Sequence, residues 1–284
     1  MNRAISRIER PAEEPGFLGE GHTAVPVVRS GDFERNDPFI LLMDDRVHLN
    51  GDRRAGGPHP HAGFETVTLV LEGKLRYQDR NGEGFLEAGD VQWMTAGRGV
   101  IHSETIDHAV DLRILQLWLT LPKKDRWACP ASQEIRGSSV PVRREPGAEL
   151  KLYSGTSGDL KSSTRNHVPV TLADITLDSG ASIDQDLEHS QNGFLYVLRG
   201  AVRVGDRVLS AGEVGWLDRP ADTGSGTLRI TAREMGARVV LYAGESQHEP
   251  IIHHGPFVGD TNEDIVRAYQ NYRAGLMGHI SALR

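Results

Sequence analysis

The chain has 284 residues, 38% hydrophobic and 25% charged, with 32 Lys and Arg against 39 Asp and Glu for a net charge of −7. That is enough apolar chain for one large or two medium globular domains, and the acidity argues against a nucleic-acid surface, which needs clustered basic side chains. The longest apolar stretches, FILLM and VVLYA, are strand-sized, which excludes a membrane-spanning helix, and the single cysteine, Cys129, excludes an internal disulfide framework.

MNRAISRIERPAEE at the start has no apolar stretch of the kind a secretory signal needs, so a reducing cytoplasm is the expected setting. The first segment with chemical content is PHPHAGFE, residues 58–65. A β-strand sends residues i and i+2 to one face, about 6.6 Å apart, so His59 and His61 point the same way. TVTLVLEGKLRYQD (66–79) reads as strand broken by a turn, and AGDVQW (88–93) as a turn leading into another. GVIHSET then repeats the parity of the first pair, with His102 and Glu104 again at i and i+2. LRILQLWLT (112–120) is a further strand. The segment 122–147, rich in Pro, Ser, Gly and charge, is the expected join, with domains at 1–134 and 135–284; the basic pairs Lys123-Lys124 and Arg143-Arg144 within it read as solvated linker.

Beyond the join, GFLYVLRGAVRVG (193–205) and ARVVLYAG (237–244) are strands. One helix is expected near the end. Thr261 offers a cap, Asp264 sits at the capping-box position, Ile265, Ala268, Tyr269 and Tyr272 share a face, and Gly275 supplies a stop. The halves echo each other: Gly63-Phe64, LVLEG (69–73) and AGDVQW (88–93) are answered by Gly193-Phe194, YVLRG (196–200) and AGEVGW (211–216). Internal duplication is the better reading of that order, and short strands at close spacing suggest barrels or sandwiches, an all-β fold.

A lone H-x-H is ordinarily a surface pair without consequence. A matched H-x-E about forty residues on shifts the balance, because antiparallel neighbours in a barrel would bring the two pairs together. Three imidazoles and a carboxylate suit Fe, Mn, Co, Ni, Cu or Zn rather than Mg or Ca. The other nine histidines, including His253-His254, whose side chains would face opposite ways, have no such pattern and read as structural or solvated.

PHPHAGFETVTLVLEG and LEAGDVQWMTAGRGVIHSE, together with NDPFILLMDD, LQLWLTLP and EPIIHHGPFVGDTNEDI, closely resemble the pirin family of bicupins, from about residue 20 to about 275. The resemblance implies two stacked antiparallel jelly-roll β-barrels with a short C-terminal helix, and one metal in the N-terminal barrel held at His59, His61, His102 and Glu104. The general cupin motif would instead take Glu65, which here reads as a residue supporting the site from outside or as structural. Pirins often carry a basic residue after the second histidine, where this chain has Ala62. In the second half His189 stands alone before Gly193-Phe194 and no His-x-Glu follows Trp216, so no catalytic metal is expected there.

By the same resemblance the metal is expected to be Fe(II), with Mn, Co, Ni, Cu or Zn as alternatives. The activity is expected to be a quercetin 2,3-dioxygenase-like oxidoreductase that opens a flavonol with O2 and releases CO. Glu104 would serve as both ligand and catalytic base. Arg98 would sit at the rim or hold an anionic substrate; Phe64 and Met94 fit core packing better than substrate contact. The alternative is a non-enzymatic iron-binding redox sensor acting through a protein partner. No direct nucleic acid or membrane contact is expected, and a monomer suits a two-barrel chain.

Overall fold

The computed structural model describes residues 2–49, 54–107, 111–220 and 223–280. The chain is built almost wholly of antiparallel strands and forms two units, one of Glu13–Ser138 with His248–Arg284, the other of Met1–Ala12 with Ser139–Gln247. A cut at 134/135 therefore misplaces both ends of the chain. The strand Ile5–Glu9 pairs with Val214–Leu217, and the closing helix belongs with the first half. The reason is apolar area: Ile265 and Ala268 bury themselves against Ala62, Ile101 and Phe257. Among the described residues no helix is long and apolar enough to cross a membrane.

The helix, Asn262–Arg273, starts as its sequence dictates. Thr261 accepts from the Asp264 backbone and the Asp264 side chain accepts from the Thr261 backbone, completing the capping box. Gly275 follows the end with φ +72. Ile265 and Ala268 are buried, Tyr269 is half-buried, and Tyr272 lies exposed at the margin of the face.

In the unit that carries the paired histidines, one sheet runs Ala131–Ile135, Val91–Thr95, Phe64–Glu72, Asp111–Thr120, Phe39–His48, His22–Val28, Glu14–Pro15. The other runs Arg54–His61, Val100–Asp107, Lys74–Asp79, Gly82–Glu87. Val47, Val70, Leu75, Leu86, Leu112 and Ile114 form a common core. The segment 66–79, expected as strand broken by a turn, is two strands, one in each sheet. Gly73 separates them with φ +82, and a Cβ there would meet the Asp111 carbonyl oxygen at 2.2 Å, so only glycine turns this corner.

The second unit is a nine-stranded sheet in which the 21-residue strand Ser225–Glu245 pairs with Ser182–Glu188 near its start and Val170–Leu177 near its end. Leu150, Ile175, Val197, Leu228, Ile230 and Leu241 are fully buried within it. Its turn at Gly212 repeats the turn at Gly89 atom for atom. Gly89 N–H donates to Val70 and Gly212 N–H to Val197, each at 2.8 Å. Asp90 and Glu213 each accept from the backbone N–H three residues earlier, at Glu87 and Ser210. That explains the acid in AG-acid-V. The Gly-Phe pairs are not equivalent, however: Trp93 stands opposite Val67, whereas Trp216 stands opposite Phe194, so Phe194 occupies the place of Val67.

Candidate metal centre

Arg54–His61 runs antiparallel to Val100–Asp107, with His102 opposite His59, Val100 opposite His61, and Glu104 opposite Gly57. Directly opposed residues share a sheet face, so His59, His61, His102 and Glu104 project to one side. Ring centroids lie 4.3 Å apart for His59–His102, 4.8 Å for His59–His61 and 5.0 Å for His61–His102. One ring nitrogen from each histidine lies within 4.8 Å of the other two. Glycines permit the approach: a Cβ on Gly56 would fall 1.9 Å from the Glu104 carbonyl oxygen, and Gly57 leaves open space opposite the Glu104 position.

The hydrogen bonds decide which nitrogens remain for a ligand. His59 Nδ1 lies 2.8 Å from the Gly57 carbonyl and must carry the proton, leaving a lone pair on Nε2. The Pro256 backbone accepts from the His61 ring, while His61 Nδ1 and His102 Nε2 are buried with no hydrogen-bond partner among the described residues. A buried polar atom left unpaired costs about 1–3 kcal/mol, and a metal ion satisfies both at once. Burial, then the charge of His59, lowers His61 to about 3, and burial, then His61 and His59, holds His102 well below its ordinary value. Both rings are thus neutral at neutral pH, the form that binds metal. The triad can hold a transition metal.

Glu104 is not one of the three converging groups. Its Oε1 lies 3.0 Å from Thr68 Oγ1, and that hydroxyl lies 2.5 Å from the Gln116 amide. One hydroxyl proton cannot serve two acceptors. With the Gln116 amide turned so that its NH2 donates to Thr68, Thr68 donates to Glu104 and all three groups are satisfied. Burial raises the Glu104 carboxyl above its ordinary value, Asp45 adds to the rise, and His59 and Thr68 oppose it.

These groups open into a cavity of about 790 Å³ lined by His59, His61, Glu104, Gln116 and Trp118 among others, with mostly apolar walls. Glu65 does not reach it. Gly63, with φ +87, turns the chain from one sheet to the other, and Glu65 then alternates away from Thr68, buried and accepting from Thr95 Oγ1 at 2.7 Å. Arg98 is exposed and absent from the cavity lining. Phe64 packs 5.1 Å from the His61 ring and 4.2 Å from Trp118, supporting them from behind, and Met94 is buried with Ala96 and Val100. Ala62 faces Phe257 and Ile265 rather than the cavity, so the missing basic residue does not alter polarity at the histidines. Cys129 is exposed. His253 and His254 do face apart, toward Trp118 and Tyr269.

Four lining or supporting groups escaped the sequence reading: His22, Asp45, Thr68 and Gln116. For Asp45 a signal existed, since FILLMDDRV sets two acids in an apolar strand. The structure splits them, Asp44 forming a bidentate pair with Arg113 at 2.9 and 2.8 Å while Asp45 lines the cavity. For the others the meaning comes only from the pairing of strands.

Comparison with known proteins agrees with this architecture. Residues 23–119 match the pirin family model and residues 172–278 the model of the pirin C-terminal cupin domain. Pirin-1 of Arabidopsis thaliana is 37% identical over 282 residues, 96% of this chain and 95% of its own. The structure of quercetin 2,3-dioxygenase from Acinetobacter baumannii superposes with a TM-score of 0.85 at 28% identity, covering 99% of this chain and 100% of that one. A bacterial pirin from Escherichia coli, solved in complex with nickel(II), shares the fold at a TM-score of 0.63 and 19% identity, covering 84% of this chain and 100% of its own. With its histidine triad in the first of two cupin units and relatives matched along nearly its whole length, this chain belongs to the pirin family.

Proposed function

We propose that this protein is a metal-dependent dioxygenase that opens the heterocycle of a flavonol with O2 and releases CO. The observation that carries the reading is the convergence of His59, His61 and His102 at one end of a cavity of about 790 Å³ whose other walls are mostly apolar. A cavity of that size and character suits a planar aromatic molecule. The likeness to the Acinetobacter baumannii quercetin 2,3-dioxygenase supports the substrate class.

A redox-active metal, Fe(II) on this reading, would be held by His59, His61 and His102 with Glu104 as fourth donor, and would supply the electron exchange between an ionised flavonol and O2. The rest falls to the chain. Leu41, Met43 and Trp118 would hold the flat substrate and exclude water. Glu104 would take the proton of the 3-hydroxyl. A carboxyl raised by burial is a better match to a phenol proton than an exposed one, and Thr68 fixes its orientation.

The test is O2 uptake and CO release by iron-loaded protein with quercetin, beside His61→Ala. Turnover in the wild type that vanishes in the variant supports the reading. No turnover above the variant overturns it, and iron-state-dependent binding of a protein would then favour the sensor role.

A further inference from the structure

We propose that Asp45, oriented by His22, is a recognition element for a phenolic hydroxyl at the end of the cavity away from the histidine triad; the proposal rests on the flavonol reading above. Strand register gives the depth. Leu41 stands opposite Trp118, whose ring is 5.0 Å from His61, Met43 stands opposite Gln116, and Asp45 stands opposite Ile114. Each two-residue step along a strand is about 6.6 Å, so Asp45 lies about 13 Å beyond the Trp118–His61 level and one step beyond the Gln116–Thr68–Glu104 level. A substrate whose ring oxygens engage the triad would extend a second ring toward Asp45.

The pair is built rather than incidental. His22 Nδ1 accepts from the Leu18 backbone at 3.1 Å, so its Nε2 carries the proton that it gives to Asp45 Oδ1 at 2.8 Å. Both ring nitrogens are thereby committed. Gly16 packs against the ring, where a Cβ would come within 2.3 Å, and holds it in place. The His22 side chain is 1% exposed and that of Asp45 10%. Among the described residues no donor reaches Asp45 Oδ2; Ala24 and Ile114 stand opposite Asp45 on the neighbouring strands, Val47 and Leu112 lie one step along, and Glu14, across from Ala24, accepts from Arg29 at 3.1 Å. A carboxylate oxygen without a donor, on a nearly buried side chain facing a mostly apolar cavity, is satisfied by a ligand that brings an O–H there on a flat apolar body. A phenol does both. Such a site discriminates strongly against an analogue that lacks the hydroxyl.

The experiment is anaerobic fluorescence titration of iron-loaded wild type, Asp45→Leu and Asp45→Asn with three probes. Quercetin carries hydroxyls on both outer rings, 3-hydroxyflavone carries only the hydroxyl near the ring carbonyl, and a fully outer-ring-methylated quercetin offers acceptors only. In the wild type quercetin is expected to bind about tenfold to a hundredfold more tightly than 3-hydroxyflavone. In Asp45→Leu that ratio is expected to fall to within about twofold of one. Asp45→Asn preserves shape; His22 would hold its oxygen and turn the NH2 to the cavity, so preference is expected to move from quercetin to the methylated probe. A wild-type ratio near one, an unchanged ratio in Asp45→Leu, or a quercetin preference kept in Asp45→Asn overturns the assignment. Failure of wild type to bind any of the three overturns the flavonol reading itself.

Discussion

The carbonyl oxygen of Val258 stands where a side chain on Gly63 would begin: an added Cβ would meet it at 1.9 Å. Around this contact the closing segment is laced to the strand that carries the histidines. Ala62 N–H donates to Pro256 at 3.3 Å, Val258 N–H donates to Ala62 at 2.9 Å, and the Gly63 carbonyl accepts from the buried Arg126 at 3.2 Å. Gly63→Ala combines the clash with a φ of +87 that alanine adopts poorly. It is expected to destabilise the protein by at least about 2–3 kcal/mol, read as a lower denaturation midpoint in urea. Iron content should fall with it, since the corner lies two residues after His61.

The triad makes a sharper prediction. Elemental analysis of purified wild type should find near-stoichiometric transition metal, lost in His59→Ala/His61→Ala and in His102→Ala. Metal removal by a chelator should lower the thermal midpoint of the wild type and leave the triad variants unmoved, because only a folded state that binds metal is stabilised by it. Equal metal in wild type and variants would make the histidines scaffold.

Thr68→Val keeps the shape of the side chain and deletes the hydroxyl that meets Glu104 and Gln116. Loss of a group that orients a metal ligand ordinarily costs about 10- to 100-fold in metal affinity or activity, and with Glu104 in its proposed role a drop in that range is expected here. Competition titration with a coloured chelator reads the affinity and O2 uptake reads the turnover. An effect under about twofold on both would detach Thr68 from the site.

Asp264 gives an acid-dependent term. Burial works to raise its carboxyl, but the backbone N–H groups of Asp260 and Thr261 and the Arg267 guanidinium outweigh that and hold it below its ordinary value. A group whose folded value is depressed adds stability above its unfolded value, about 3.9, and loses it as pH falls through the folded one. Asp264→Asn is therefore expected to cost about 1 kcal/mol at pH 7, with the gap to wild type closing below about pH 4. Thermal midpoints of metal-free wild type and variant across that range check it. A gap that stays constant with pH would show that shape, not charge, makes the cap.

Much of this protein is written locally. Strand parity is a property of any extended chain, so His59 with His61, and His102 with Glu104, are paired in the sequence itself, and their shared face follows from antiparallel neighbours. The capping box at Thr261 and the acid-bearing turns at Gly89 and Gly212 are likewise contacts within a few residues, readable because both partners lie in one short segment. Glu65 shows the limit. Its parity matches that of His59 and His61, and only the corner at Gly63, forced by the Val258 carbonyl from almost two hundred residues away in sequence, sends it to the other face. The same holds for the assignment of the closing helix to the first unit, which depends on where Ala62 and Ile101 offer apolar surface. It holds too for the cavity end built from His22 and Asp45, which share no motif and meet because two strands pair in one register. Local chemistry fixed which atoms can bind; the burial of nonlocal apolar surface decided which of them face one another.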